Sequence, residues 1–187
     1  ELCLVGSEMC IRDRAVAAPY VSCRLADAGA RVIKIERPEG DFARGYDSNV
    51  LGDSAYFVWL NRGKESIALD LKNNEDLLVL KNIISKVDIL IQNLAPGAFE
   101  RLGISLKNLR LKYPKLITCS ISGFGEDGPY KNQKAYDMLI QAETGLIELT
   151  GLPDKENFDG RAKVGASVCD ISAGMTAYQA ILQALIK

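Results

Sequence analysis

The chain has 187 residues, of which 48% are hydrophobic and 25% charged, with a formal net charge of -1. That balance excludes a mainly disordered chain, and 16 Gly with 6 Pro exclude collagen-like or low-complexity classes. A pI near 5.6 argues against a nucleic-acid scaffold, and the absence of histidine removes His general bases, Ser-His-Asp triads and His-ligated metals within this chain.

Residues 1–14 show neither helical nor strand periodicity. They resemble a translated sequencing adaptor, so they are read as a non-native segment and kept out of the fold reasoning. Glu1 and Glu8 also break any secretory signal pattern. Residues 15–29 predict a helix that stops at Gly29. Arg31–Glu36 predicts a β-branched strand ended by Arg37-Pro38. Residues 38–55, rich in Gly, Asp and Ser, predict a long surface loop, a kind often functional in compact domains. Ser66–Leu71 alternates like a strand, and Asn73–Lys86 predicts a helix with Leu77, Leu80, Ile83 and Ile84 inward. Val87–Gln92 predicts a strand buried on both faces. Short helices near 97–102 and 105–112, a strand over Leu116–Ile121, a polar loop over 122–134 and helices over 136–149 and 170–187 complete the chain. Lys187 closes a helical pattern without a stop signal, so the chain reads as an internal piece of a longer polypeptide.

Alternating strands and helices predict an α/β fold: a Rossmann-like parallel sheet with helices on both faces, here truncated. Ligands of such sheets sit beyond the carboxyl ends of the strands, which directs attention to the loops after Glu36, Gln92 and Ile121. Five wide-spaced cysteines, Cys3, Cys10, Cys23, Cys119 and Cys169, form no Cys-x-x-Cys pair and fit reduced thiols in a cytoplasmic protein. No metal site is expected, and no run of about 18 apolar residues suggests a membrane span. Gly123–Gly128 matches a dinucleotide fingerprint, which admits a nicotinamide-dependent oxidoreductase. Pro129 follows it without a helical period, however, and Glu126 and Asp127 would repel phosphate. Basic residues near strand ends are Arg37, Arg44, Arg101, Lys131 and Lys134; Arg37 stands at a strand terminus, where a planar fork suits a phosphate. Asn93–Gly97 reads equally as a helix-launching turn or a cleft lining. Asp137 and Asp170 each stand where a helix begins. Helix capping is the common job of such an Asp, and for Asp170 it would favour the anion that a nucleophilic carboxylate must be.

The runs Leu25–Pro38, Ile91–Ala98 and Ser120–Tyr130, followed by Asp137 and an Asp-x-x-x-Gly-Met pattern at Asp170–Met175, occur in that order. From about Ala15 to Lys187 the chain thereby closely resembles the class III CoA-transferase family, which includes formyl-CoA and carnitine CoA-transferases and α-methylacyl-CoA racemases. The resemblance implies that residues 15–187 are part of a CoA-transferase large domain. It implies transfer of CoA from an acyl-CoA donor to a carboxylic acid through an acyl anhydride on Asp170, with Asp137 at an acidic active-site position. It further implies CoA contacts from Arg37, Leu69, Asn93, Leu94, Arg101, Lys134 and Tyr136. Coenzyme A is then a substrate rather than a tightly bound cofactor, and neither nucleic acid nor membrane is a partner. Racemases of the family pair the acid at Asp137 with a His that this chain lacks, which favours the transferase branch over an acyl-CoA racemase. A Gln used by formyl-CoA transferases corresponds to Val16. The family's glycine-rich active-site loop and second domain fall beyond Lys187. Its interlocked homodimer is expected of the full-length protein, and the fragment alone is expected to be inactive.

Overall fold

The computed structural model describes residues 6–12, 15–153 and 160–186. Its centre is a five-stranded, wholly parallel sheet. The strands are β1 (Glu8–Arg12), β2 (Arg31–Glu36), β3 (Lys64–Ala68), β4 (Ile89–Gln92) and β5 (Ile117–Ser120), in the order β3-β2-β1-β4-β5. The helices are α1 (Ala17–Asp27), α2 (Ala55–Asn61), α3 (Asn74–Ile84), α4 (Ala98–Arg101), α5 (Leu106–Lys112), α6 (Asp137–Glu143) and α7 (Val168–Ile186). Short 3-10 turns occupy Phe42–Gly45 and Leu146–Leu149. This is the α/β, Rossmann-like architecture that the alternating pattern predicts.

Several elements depart from the sequence reading: α2 was not foreseen, β3 runs over Lys64–Ala68 rather than Ser66–Leu71, and the helix expected over 136–149 ends at Glu143. The middle strand, β1, comes from the segment set aside for its lack of periodicity. It pairs on both sides, Met9 with Val32 and Ile89, Cys10 with Ile33 and Leu90. A central strand of a covered sheet is buried on both faces and shows no alternation, so a period-2 search passes over it. The remainder of the suspect segment, residues 1–5 and 13–14, lies outside the described residues, as does Lys187.

The pleat divides the core. Cys10, Leu90, Leu80, Ile84, Phe99 and Ile104 pack on one face beneath α3, α4 and α5. Met9, Val32, Ile89, Ile91, Val21 and Ile181 pack on the other beneath α1 and α7. Local chemistry sets the helix boundaries. The Asn73 side chain accepts the Glu75 N–H at the start of α3, where Glu75 and Asp76 favour the dipole. Ser54 caps the unforeseen α2, and Ser105 caps α5. The α7 helix crosses α1 at Gly174, where an added Cβ would lie 2.9 Å from both the Ala17 carbonyl oxygen and Tyr20 Cδ1. The glycine of the Asp-x-x-x-Gly-Met pattern therefore permits a close helix crossing one turn beyond Asp170. Among the described residues, no helix is long and apolar enough to cross a membrane.

Candidate active site

The carboxyl ends of β2, β3 and β4 open onto a cleft of about 610 Å3. Arg37, Leu69, Leu94 and Arg101, scattered over 65 positions of sequence, all line it, together with Lys72. Each follows a strand end or stands on the short helix after one, so the parallel topology converges them. Arg37 Nε donates to the Gly40 carbonyl at 2.9 Å, which fixes the stem of its guanidinium fork. Asn93 stands between Gln92 and Leu94 in the turn after β4, where Gln92 Oε1 accepts the Leu94 N–H at 2.7 Å. Lys72 was not singled out from sequence, although the strand-end logic applied to Arg37 covers it equally.

The wall of this cleft is braced by a buried ionic layer. Lys34, 1% exposed at its side chain, donates to Asp41 Oδ2 at 2.9 Å, and Asp41 Oδ1 accepts the Ala43 N–H. Glu36 accepts from Arg44 Nη2 at 2.8 Å and Nε at 3.1 Å, from Ser66 Oγ at 2.8 Å and from the Asp41 N–H at 2.9 Å. Burial alone would raise the Glu36 carboxyl, but these donors outweigh it and hold Glu36 down to about 2. Arg44 also lies 3.9 Å from the Phe57 ring centroid. Gly40, at φ +79°, adopts a left-handed conformation that strains any residue with a Cβ, and that Cβ would also crowd Arg44 Cδ at 3.1 Å. The predicted surface loop is thus strapped down at its start, and Arg44 belongs to the strap.

The strapped turn leads to Tyr46, whose hydroxyl is raised by burial first and then by the charges of Asp41 and Asp170 and by Tyr136. Tyr46 and Tyr136 therefore stand near the second feature, a pair of acids. Asp137 opens α6 and Asp170 is the third residue of α7. Asp137 Oδ1 accepts the N–H groups of Cys169 at 2.8 Å and of Asp170 at 3.3 Å, two of the orphan donors at the start of α7. Asp137 Oδ2 accepts from Gln141 Nε2 at 2.6 Å.

This corrects the expectation that Asp170 is itself a cap with a favoured anion. The capping acid of α7 is Asp137, 33 residues upstream, while Tyr136 holds the capping position of α6. Burial first, and then the Asp137 charge, push the Asp170 carboxyl up to about 6. Lys134 is exposed in the loop before Tyr136, apart from the residues that line the cleft. The Gly123–Gly128 run lies in bends and turns, with no helix before Asp137, so the helix N-terminus that a dinucleotide requires is missing there. Among the described residues, no three Cys, Asp or Glu side chains stand close enough to hold a metal ion. Tyr46 and Gln141 escaped the sequence reading; an amide four residues beyond an acid on one helix is the signal for the latter.

This architecture has close counterparts. A CaiB/BaiF family protein from Brucella suis superposes with a TM-score of 0.89 at 37% identity, covering 98% of this chain and 49% of the other. The succinate–glutarate CoA-transferase of Agrobacterium fabrum is 37% identical over 182 residues, 92% of this chain and 44% of its own length. The acetyl-CoA:oxalate CoA-transferase of Acetobacter aceti is 40% identical over 169 residues, 89% of this chain and 42% of its own. The chain thus spans less than half the length of these curated relatives. The sequence profile of CoA-transferase family III matches residues 9–187, from the central strand through the acid pair to the end of α7, and the chain belongs to that family.

Proposed function

We propose that the full-length protein moves coenzyme A from an acyl-CoA donor to a free carboxylic acid, with Asp170 as the nucleophile. The observation that carries this reading is the half-buried Asp170 in the first turn of α7, beside a second carboxylate, in a family III chain. Raised to about 6, Asp170 remains largely ionised at neutral pH while gaining basicity, which suits nucleophilic attack. A carboxylate oxygen of Asp170 attacks the thioester carbonyl, the C–S bond breaks, and CoA leaves as the thiolate. An aspartyl–acyl anhydride remains. Thiolate and acceptor carboxylate then exchange at its carbonyls until one new C–S bond forms, the donor acid departs and Asp170 is released as a carboxylate. One thioester replaces another, so no further energy source is required.

Arg37, Arg101 and Lys134 suit the CoA phosphates, while Leu69 and Leu94 suit the apolar parts of adenine and the pantetheine stem. Asn93 and Tyr136 complete the proposed contact set. Asp137 serves Asp170 by charge and by holding its helix. The names of the relatives support a transferase rather than a racemase. The working protein is an interlocked cytoplasmic homodimer, and the 187-residue chain alone lacks activity.

The test is to incubate the full-length enzyme with an acyl-CoA, trap with hydroxylamine and locate the modification by mass spectrometry. The adduct is expected on Asp170, and Asp170→Ala should lose transfer by about 10³-fold or more. Normal transfer by that variant, or an adduct on another residue, overturns the reading.

A further inference from the structure

The Gln141 side chain sits at the crossing point of three segments. The residue is 0% exposed, although it carries an amide. Its Nε2 donates to Asp137 Oδ2 at 2.6 Å and to the Val164 carbonyl at 3.3 Å, while its Oε1 accepts the Val164 N–H at 2.8 Å. The Val164 pairing fixes which end of the amide faces the acid, because the N–H of Val164 requires the oxygen on its side. Gln141 therefore clamps the approach to α7 at Val164 and turns the Asp137 carboxylate, so that the other oxygen meets the N–H groups of Cys169 and Asp170. We propose that Gln141 is a positioning residue for the transfer reaction, fixing the Asp137 carboxylate that in turn seats Asp170. This rests on the nucleophilic role of Asp170 proposed above.

The two amide bonds to Val164 and the bond to Asp137 make opposite demands on a replacement. Gln141→Leu removes all three. Gln141→Glu keeps the shape and the acceptor for the Val164 N–H. Its new carboxyl can donate to Asp137 only when protonated, and once ionised it faces Asp137 as a like charge. Titratable groups near the acid pair in the wild type include Asp137, Cys169, Tyr46 and Tyr136, and the variant adds one further acid beside Asp137.

The experiment measures kcat, KM and CoA affinity of the full-length enzyme from pH 5 to pH 8 for the wild type and both variants, together with the rate of acyl labelling on Asp170. Gln141→Leu is expected to lower kcat and the labelling rate by about ten- to a hundredfold at every pH. CoA affinity should change less than about twofold, because the cleft lined by Arg37, Leu69, Leu94 and Arg101 is built on elements other than α6. Gln141→Glu is expected to approach wild-type kcat toward pH 5 and to fall as pH rises, a profile that loss of packing does not produce. Wild-type labelling of Asp170 with an unaltered rate in Gln141→Leu overturns this inference alone, as does a Gln141→Glu profile parallel to the wild type. An unlabelled Asp170 in the wild type overturns the proposed function, and this inference with it.

Discussion

Two carboxylates in this molecule, the buried Glu36 and the half-buried Asp170, meet opposite fates. Both are withdrawn at least in part from water, and burial pushes both upward. Glu36 is surrounded by donors: the Arg44 fork, the Ser66 hydroxyl and the Asp41 N–H. It ends at about 2, a fixed anion that holds the 38–46 turn. Asp170 faces a second acid, whose own oxygen is spent on backbone N–H groups, and it ends at about 6. Burial acts at both sites, and the sign of the neighbours separates the brace at Glu36 from the raised carboxyl of Asp170, the proposed nucleophile. A static anion suits structure, whereas a carboxyl raised toward neutrality suits the nucleophilic role proposed for Asp170.

The largest expected effect comes from breaking the brace. Lys34→Met strands the Asp41 carboxylate at 1% exposure, and should destabilise the protein by about 3–5 kcal/mol. Adding Asp41→Asn retains an acceptor for the Ala43 N–H and removes the stranded charge, so the double variant should recover most of that loss. Urea titration of the three proteins measures both effects. A double variant no more stable than Lys34→Met would deny that the loss arises from an unpaired buried charge.

Glu36→Gln should cost less, about 1–3 kcal/mol, since the amide keeps the shape but turns two hydrogens toward existing donors. Its pH dependence sharpens the contrast. The folded Glu36 value lies below the ordinary 4.5, so its contribution is present above that pH and is lost as pH falls through about 2. Urea midpoints of the wild type should therefore drop between about pH 4.5 and 2 more steeply than those of Glu36→Gln. Parallel slopes would mean that the donors around Glu36 do not select its anion.

Much of the frame was legible in the sequence, because its determinants are local. The β-branched run from Val32 to Ile35 and the apolar run from Ile89 to Ile91 specify strands by composition, and Asn73 followed by Glu75 and Asp76 marks the start of α3. The middle strand was not legible, because Met9 and Cys10 are made into a strand by neighbours on both sides rather than by any pattern of their own. Lys34 was not singled out within the β-branched strand. Only the folded turn brings Asp41 over it and buries the pair. At the acid pair, the strand-end loops could be inferred from topology, but the contact of Asp137 with the N–H groups of α7 joins residues 32 and 33 apart and leaves no periodic trace.

The smallest expected effect runs against the usual direction of a mutation. In the folded chain Asp170 holds its proton up to about 6, against an ordinary value of 3.8, so the folded state binds that proton more tightly than the unfolded one. The stabilisation from the protonated acid is complete below pH 3.8 and is lost as pH rises through about 6. Above that pH the wild type carries a disfavoured anion beside Asp137. Asp170→Asn cannot ionise, so it should match the wild type near pH 4 and exceed it at pH 8 by about 1–2 kcal/mol, allowing for solvent at a half-buried group. Urea midpoints at the two pH values measure the difference. The variant should be inactive and more stable at once, as expected if a destabilised carboxylate is retained for its reactivity. Equal midpoints at pH 8 would place Asp170 in the same class as Glu36, an acid whose surroundings fully compensate its burial.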